Sequence, residues 1–379
     1  MKLPPQPWLE TPAVRAVLAA LGPGKARPVG GAVRDGLLGL PVSDVDIATP
    51  LEPLAVVAAL RAAGLKAVPT GIAHGTVTAV ADGQPIEVTT LRRDVATDGR
   101  HATVAFSTDW RDDAARRDFT INALSVDPET MEISDFFDGL SDLDQWRVRF
   151  IGVATTRIAE DHLRILRFFR FHARFGRGEP DAEGLAACAA RANDLMALSR
   201  ERIRGELGKL LVADDPVPVV GIMLAHGILA PVLPEIGDIA RLARLIAVEP
   251  APDWLRRLAA LLPADAGVLD DVAVRLRLSN VERRRLVAMA TPPSDDASTE
   301  AYWDGRDTAI DRRLLAGVIE PALDGWTRPR LPISGRDLIA RGLPPGPEVS
   351  RRLGDFERAW VAGGCRDDYA VLLDAVTSA

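Results

Sequence analysis

The chain has 379 residues, 47% of them hydrophobic and 26% charged, a composition of folded globular proteins and a length that accommodates two or more domains. It has no run of about twenty apolar residues, and its start, Met1-Lys2-Leu3-Pro4-Pro5, lacks a signal-peptide core, so a cytoplasmic protein with no membrane partner is expected. Two distant cysteines, Cys188 and Cys365, and five scattered histidines argue against a disulfide framework or a Cys-zinc site, and a net charge of −7 argues against indiscriminate nucleic-acid binding. Metal chemistry then falls to carboxylates. Local basic patches can still hold phosphates, because screening confines electrostatics to about 8–10 Å.

The first motif along the chain is Val29-Gly30-Gly31-Ala32-Val33-Arg34-Asp35, followed by Ser43-Asp44-Val45-Asp46-Ile47. On a strand, carboxylates two apart share a face, so Asp44 and Asp46 can both ligate hard cations. Gly30 and Gly31 let the backbone approach a polyphosphate, and Arg34 offers its oxygens a charge-assisted donor. A lone D-x-D is also what an exposed strand carries. The glycine-arginine block at this distance turns the balance toward a two-Mg²⁺ phosphoryl-transfer site.

Thr49-Pro50-Leu51-Glu52 has the capping-box pattern and predicts a helix over about 50–63, ending at Gly64. Segments 76–80 and 86–90 flank Asp82-Gly83, a hairpin signature, and place Glu87 on a strand beside the metal strand as a third carboxylate or a solvent-facing one. Residues 92–101 are polar without periodicity and read as a surface loop. A second hairpin is expected around Asp127-Pro128-Glu129. Hairpins imply an antiparallel or mixed sheet, and no G-x-G-x-x-G opens a helix, which separates this loop from a dinucleotide fingerprint.

After residue 150 strand signals stop, and helices are expected over 157–175, 195–211 and 217–229, with loop punctuation at 250–252 and 291–298. Asp161 and Arg164, three apart, would lie side by side on the first of these. The plain reading is a surface ion pair. The functional one is a base reader, since a carboxylate plus a guanidinium complements the amino donor and ring acceptor shared by cytosine and adenine and rejects uracil and guanine. Arg157, Arg164, Arg167, Arg170 and Arg174 recur at helical spacing opposite Leu163, Ile165, Leu166, Phe168 and Phe169, an apolar face that must be buried. Pro347 is expected to start a helix.

Three further blocks follow in order: Arg116-Arg117-Asp118-Phe119-Thr120-Ile121-Asn122-Ala123-Leu124, Glu160-Asp161-His162-Leu163-Arg164-Ile165-Leu166-Arg167, and Ser199-Arg200-Glu201-Arg202-Ile203. With the glycine and D-x-D segments they span roughly the first 215 residues. The chain resembles the template-independent nucleotidyltransferases that build RNA 3′ ends, the class II CCA-adding enzymes and bacterial poly(A) polymerases. Ser334-Gly335-Arg336-Asp337-Leu338-Ile339 and Gly342-Leu343-Pro344-Pro345-Gly346-Pro347 resemble the tail of that family.

The resemblance implies an α+β catalytic head over 1–150, a helical neck with base recognition over 151–215, a helical body over 216–320 and a helical, RNA-binding tail over 321–379. It implies Mg²⁺ on Asp44 and Asp46, to which the strand placement of Glu87 adds either a third metal carboxylate or a solvent-facing acid, and nucleotide binding by Gly30, Gly31, Arg34, Arg117, Asp118, Asn122, Asp161, Arg164, Arg167 and Arg170. Arg117 would meet the triphosphate, Asp118 the ribose with Asn122 in support, Arg167 and Arg170 phosphate or sugar. Asp161 with Arg164 would act as the protein template. The implied activity is addition of C, C and A to tRNA from CTP and ATP, with the 92–101 loop aiding the switch between them and no obligate protein partner. No H…H-D…D phosphohydrolase pattern follows residue 216, so no hydrolase domain is expected. The competing readings are a poly(A) polymerase, a catalytically silent RNA-binding protein and a transferase with a small-molecule acceptor.

Overall fold

The Asp82-Gly83 turn sets the register of the sheet. Both residues take positive φ, 48° and 74°, the backbone of a tight hairpin turn whose twist matches the strands it joins. In the computed structural model, which describes residues 1–98, 101–366 and 368–377, this turn connects β4 (Thr76–Ala81) to β5 (Gln84–Thr90). With β1 (Arg27–Val29), β2 (Asp46–Thr49), β3 (Lys66–Gly71), β8 (Ser125–Val126) and β9 (Ile133–Ser134) they form a seven-stranded sheet ordered β3-β4-β5-β2-β1-β8-β9. The sheet is mixed, as expected: β2 and β5 run parallel and the other neighbours antiparallel. Side chains of β4 alternate between partly exposed and buried, and Val77, Ala79 and Ala81 enter a core with Val17, Val33, Ile47, Leu60 and Val88.

Two local expectations are corrected. The helix after β2 covers Pro53–Ala62, because Thr49 is held in the β2 ladder and its hydroxyl accepts from the Leu51 amide at 3.2 Å instead of capping a helix. The stretch read as a loop at 92–101 is an antiparallel ribbon, β6 (Arg92–Asp98) with β7 (His101–Phe106), whose irregular polarity hides its pairing. Gly99 and Arg100 of that stretch lie outside the described residues.

The chain divides into two compact units, Met1–Val232 and Leu233–Ala379. This boundary falls within the stretch read as a helical body. Beyond the sheet and the β6–β7 ribbon, the regular elements of the first unit are helices. The expected helix over 157–175 is two, Ala154–Glu160 and Arg164–Phe175, broken where Asp161 turns extended (φ −152°, ψ 105°). Leu163, Ile165, Leu166, Phe168 and Phe169 are buried as their spacing requires. Phe119 packs on Phe150 and Phe171 with ring centroids at 5.0 and 5.1 Å, and Phe150 stacks on Phe168, which ties the RRDFT segment to the arginine-bearing helix. Helices Arg200–Leu211 and Val217–Ala225 follow.

The described residues of the second unit contain helices and no strand. Its interior carries charge that is paired within it. Asp311 accepts from Arg256 and Arg285 at 2.8 and 2.7 Å, and Glu249 binds Arg257 at 2.5 Å. Helix Pro347–Ala362 begins at the expected proline, directly after Gly346. Among the described residues no helix is long and apolar enough to cross a membrane.

Candidate active site

The site forms where β2 and β5 run side by side. Asp46 opens β2 and is register-paired with Glu87 of β5, so their side chains stand on one face of the sheet. Asp44 does not share that strand, contrary to expectation: it sits in the irregular segment before Asp46, exposed, and accepts from the Ser43 hydroxyl at 2.9 Å. The carboxylates still feel one another. Desolvation raises the Asp46 carboxyl above its ordinary range, Arg117 opposes this and Asp44 adds to it. Desolvation likewise raises Glu87, with Asp46 adding and Arg92 opposing. Both side chains keep a solvent-exposed surface, so desolvation at this rim is partial, and the neighbouring acids add to it. Among the described residues no three His, Cys, Asp or Glu side chains converge into a preformed metal cluster. Hard oxygen donors whose mutual repulsion Arg117 and Arg92 offset only in part nevertheless fit a divalent cation, which would relieve the rest.

The glycine loop faces the same region. Gly30 has φ 68° and ψ −120°, and a Cβ there would fall 2.8 Å from Arg117 Nη1. Gly30 therefore makes room for a guanidinium. Arg117 donates to Asp113 at 3.1 Å and to the Asn122 carbonyl at 3.4 Å, and its charge reaches Asp46. Gly31 starts the short helix Gly31–Leu37, and a Cβ there would meet Arg34 Nη2 at an ordinary contact distance of 3.6 Å.

Arg34 itself is buried. It donates to Asp35 at 2.8 Å and to Asn122 Oδ1, and its guanidinium lies 4.0 Å from the Phe175 ring centroid. Asn122 in turn donates to Asp118 Oδ1 at 3.0 Å, and Asp118 Oδ2 accepts from Arg167 Nε and Nη2 at 2.7 and 2.5 Å. Arg34, Asn122, Asp118 and Arg167 thus form a continuous chain of hydrogen bonds between the glycine-loop helix and Arg164–Phe175. Burial disfavours the Asp118 charge, but Arg167, Asn122 and the Phe119 amide together hold its carboxyl below the usual range.

The template pair is not a pair. Asp161 lies in the break before the helix, and both its oxygens accept from Arg202 Nη2, at 2.9 and 2.8 Å. Arg164 instead donates to Glu160 at 2.5 Å and to the carbonyls of Arg157 and Arg116 at 2.9 and 3.0 Å. Three-residue spacing implies adjacency only if the helix is continuous, and here it is not. Arg170 binds Glu206 at 2.5 Å, and Arg174 lies 3.8 Å from Asp35. From Arg157 to Arg170 the arginine face is satisfied by protein carboxylates, one after another, and is not a solvated stripe, whereas Arg174 stays half exposed.

Residues 26–149 match the Poly A polymerase head domain family, and residues 179–239 match the family described as the probable RNA and SrmB-binding site of polymerase A. CCA tRNA nucleotidyltransferase 1, mitochondrial, of Mus musculus is 35% identical over 377 residues, covering 92% of this chain and 86% of the mouse protein. The chain belongs to the CCA-adding enzyme family. The CCA-adding enzyme of Lacticaseibacillus paracasei is 32% identical over 377 residues, covering 92% and 91%. The crystal structure of Bacillus stearothermophilus CCA-adding enzyme in complex with CTP matches with a TM-score of 0.74 and 28% identity over 95% of this chain and 94% of that one. Thermotoga maritima CCA-adding enzyme complexed with tRNA shares the fold, at TM-score 0.67 and 22% identity. The expected α+β head with helical continuation and the nucleotidyltransferase class both hold for this CCA-adding family member. Enzymes of the family generally use a divalent metal.

Sequence reasoning assigned no role to Asp113, Glu160, Arg202 or Glu206, which hold the candidate site residues. Arg202 and Glu160 stood inside quoted motifs, the available signal; Glu206, one helical turn beyond Arg202, had none. The Asp118 network yields a stability prediction. Asp118→Ala leaves Arg167 without its close partner and costs about 3–5 kcal/mol, read as a lower thermal midpoint. Because the folded-state pKa of Asp118 is lowered, its contribution is present above the unfolded carboxylate pKa and is lost as pH falls through the folded value. The difference between parent and variant therefore shrinks in acid, and a gap that stays constant down to the pH of acid unfolding contradicts the assignment.

Proposed function

We propose that this protein completes tRNA 3′ ends, adding C, C and A from CTP and ATP without a nucleic-acid template and releasing diphosphate. The observation that carries the reading is the register pairing of Asp46 with Glu87 in the field of Arg117, in a chain of the CCA-adding family. The metal in this reading is Mg²⁺, held by Asp44 and Asp46 with Glu87 as the third carboxylate. Held by these carboxylates, the ions would supply Lewis-acid polarisation of the triphosphate and of the RNA 3′-hydroxyl.

The remaining work belongs to side chains. Arg117 meets the triphosphate charge, with the backbone at Gly30 and Gly31 close beside it. Asp161 accepts from the exocyclic amine of cytosine or adenine and Arg164 donates to the ring nitrogen. Arg34, Asn122 and Asp118 support the site from beneath, reaching ribose or phosphate only by exchanging present partners, and Arg167 and Arg170 form its helical wall. Residues 1–150 act as head, 151–215 as neck, 216–320 as body and 321–379 as an RNA-touching tail, in the cytoplasm and without an obligate protein partner.

The test is incubation of purified protein and Mg²⁺ with tRNA lacking its 3′ end and each labelled nucleotide, followed by sequencing of the product. C-C-A extension is expected. Runs of A alone would instead indicate a poly(A) polymerase, and absence of any turnover a silent RNA-binding protein. Turnover with a small acceptor but none with tRNA would indicate the third competing class.

A further inference from the structure

We propose that Arg202 is the positioning residue that sets nucleotide selectivity, by holding the Asp161 carboxylate in the orientation that reads the base. This rests on the proposed template role of Asp161.

Asp161 has lost the support a helix would give. Its backbone is extended between Ala154–Glu160 and Arg164–Phe175, so Arg164 does not lie beside it on a continuous helix surface. A carboxylate in such a segment samples several rotamers, and a reader that samples rotamers cannot discriminate donors from acceptors. Two contacts remove that freedom. The Leu163 amide donates to Oδ1 at 3.1 Å, and Arg202 Nη2, from the helix Arg200–Leu211, lies 2.9 and 2.8 Å from the two oxygens.

The lone-pair count then becomes specific. Each carboxylate oxygen accepts about two hydrogen bonds. Oδ1 takes Leu163 and Arg202, whereas Oδ2 takes Arg202 and retains capacity for one more donor. An exocyclic amine supplies that donor, while the carbonyl of uracil or guanine at the same position presents an acceptor and is repelled. The Asp161 and Arg202 side chains keep 31% and 37% of their surface exposed, so the pair contributes little to stability, and its effect lies in orientation. Arg164 is held independently, by Glu160 and two backbone carbonyls, so loss of Arg202 disturbs one half of the reader alone.

The experiment measures kcat/KM for CTP, ATP, UTP and GTP on tRNA lacking its 3′ end, with the full-length parent, Arg202→Ala, Arg202→Lys, Asp161→Ala and the Asp161→Ala/Arg202→Ala double variant. Arg202→Ala is expected to reduce the preference for CTP over UTP at least about 5-fold, with partial recovery in Arg202→Lys. In the double variant the preference falls no further than in Asp161→Ala, because the two act through one carboxylate. Arg202→Gln, which keeps most of the stem, makes the same comparison should the alanine variant melt early. Equal losses for all four nucleotides, or effects of Arg202→Ala and Asp161→Ala that multiply in full, overturn the inference. A parent that incorporates all four nucleotides alike overturns the functional reading and this inference with it; a selective parent whose Arg202 variants keep its ratios overturns the inference alone.

Discussion

Asp46→Ala and Asp44→Ala each lower incorporation on tRNA at least about 100-fold, with the thermal unfolding midpoint close to that of the parent. Both residues are exposed, and neither anchors a core contact: Asp44 accepts from its neighbour Ser43, and Asp46 heads its strand beside another acid. Removing Asp46 forgoes its attraction to Arg117 but relieves repulsion with Asp44 and Glu87, so the net effect on the fold is small. What disappears is one of the charges that would hold the cation against the triphosphate, and the carboxylates left are too few to neutralise the charge that develops there. Single-turnover incorporation with saturating CTP measures the loss, and circular dichroism melting checks the fold. Residual activity above a tenth of the parent would remove both residues from the metal site.

Asp161→Ala and Arg164→Ala have the next largest effect, and it falls on selectivity. A bidentate base contact is worth about 1–3 kcal/mol, or roughly 5- to 150-fold in discrimination, so both variants accept UTP and GTP more readily as their rates with CTP fall. The two differ in their side effects. Asp161→Ala strands the partly exposed Arg202, a minor loss. Arg164→Ala withdraws donors from Glu160 and from the carbonyls of Arg157 and Arg116, so its thermal midpoint falls as well, although Glu160 keeps Arg157 at 2.6 Å. Ratios of kcat/KM across the four nucleotides decide the matter. Unchanged ratios in both variants reduce Asp161 and Arg164 to struts of the protein.

Local chemistry was legible where a residue's behaviour depends on its immediate neighbours. The positive-φ turn at Asp82-Gly83, the helix start at Pro347 and the buried apolar face of Leu163, Ile165, Leu166, Phe168 and Phe169 all follow from backbone freedom or periodicity. The ribbon at Arg92–Asp98 and His101–Phe106 was not legible, because its first strand has no alternating apolar face to announce it and the alternate Ala102, Val104 and Phe106 follow the stretch read as a loop. The capping pattern at Thr49 misled for a related reason: the same hydroxyl suits a cap or a strand end, and the ladder to β5 claimed it.

By itself the sequence determined the kinds of group available: two acids two residues apart, a glycine able to take φ 68°, and arginines repeating at helical intervals before a buried phenylalanine face. Tertiary structure alone decided their partners. Arg167 meets Asp118 across 49 residues, Arg170 meets Glu206 across 36 and Asp161 meets Arg202 across 41, while the adjacent-looking Asp161 and Arg164 part company at a helix break. Spacing along a chain fixes where a charge sits on its own helix, but charge attraction is not directional in sequence, and the acid that satisfies a given arginine is whichever one the packing of distant helices brings within hydrogen-bond reach.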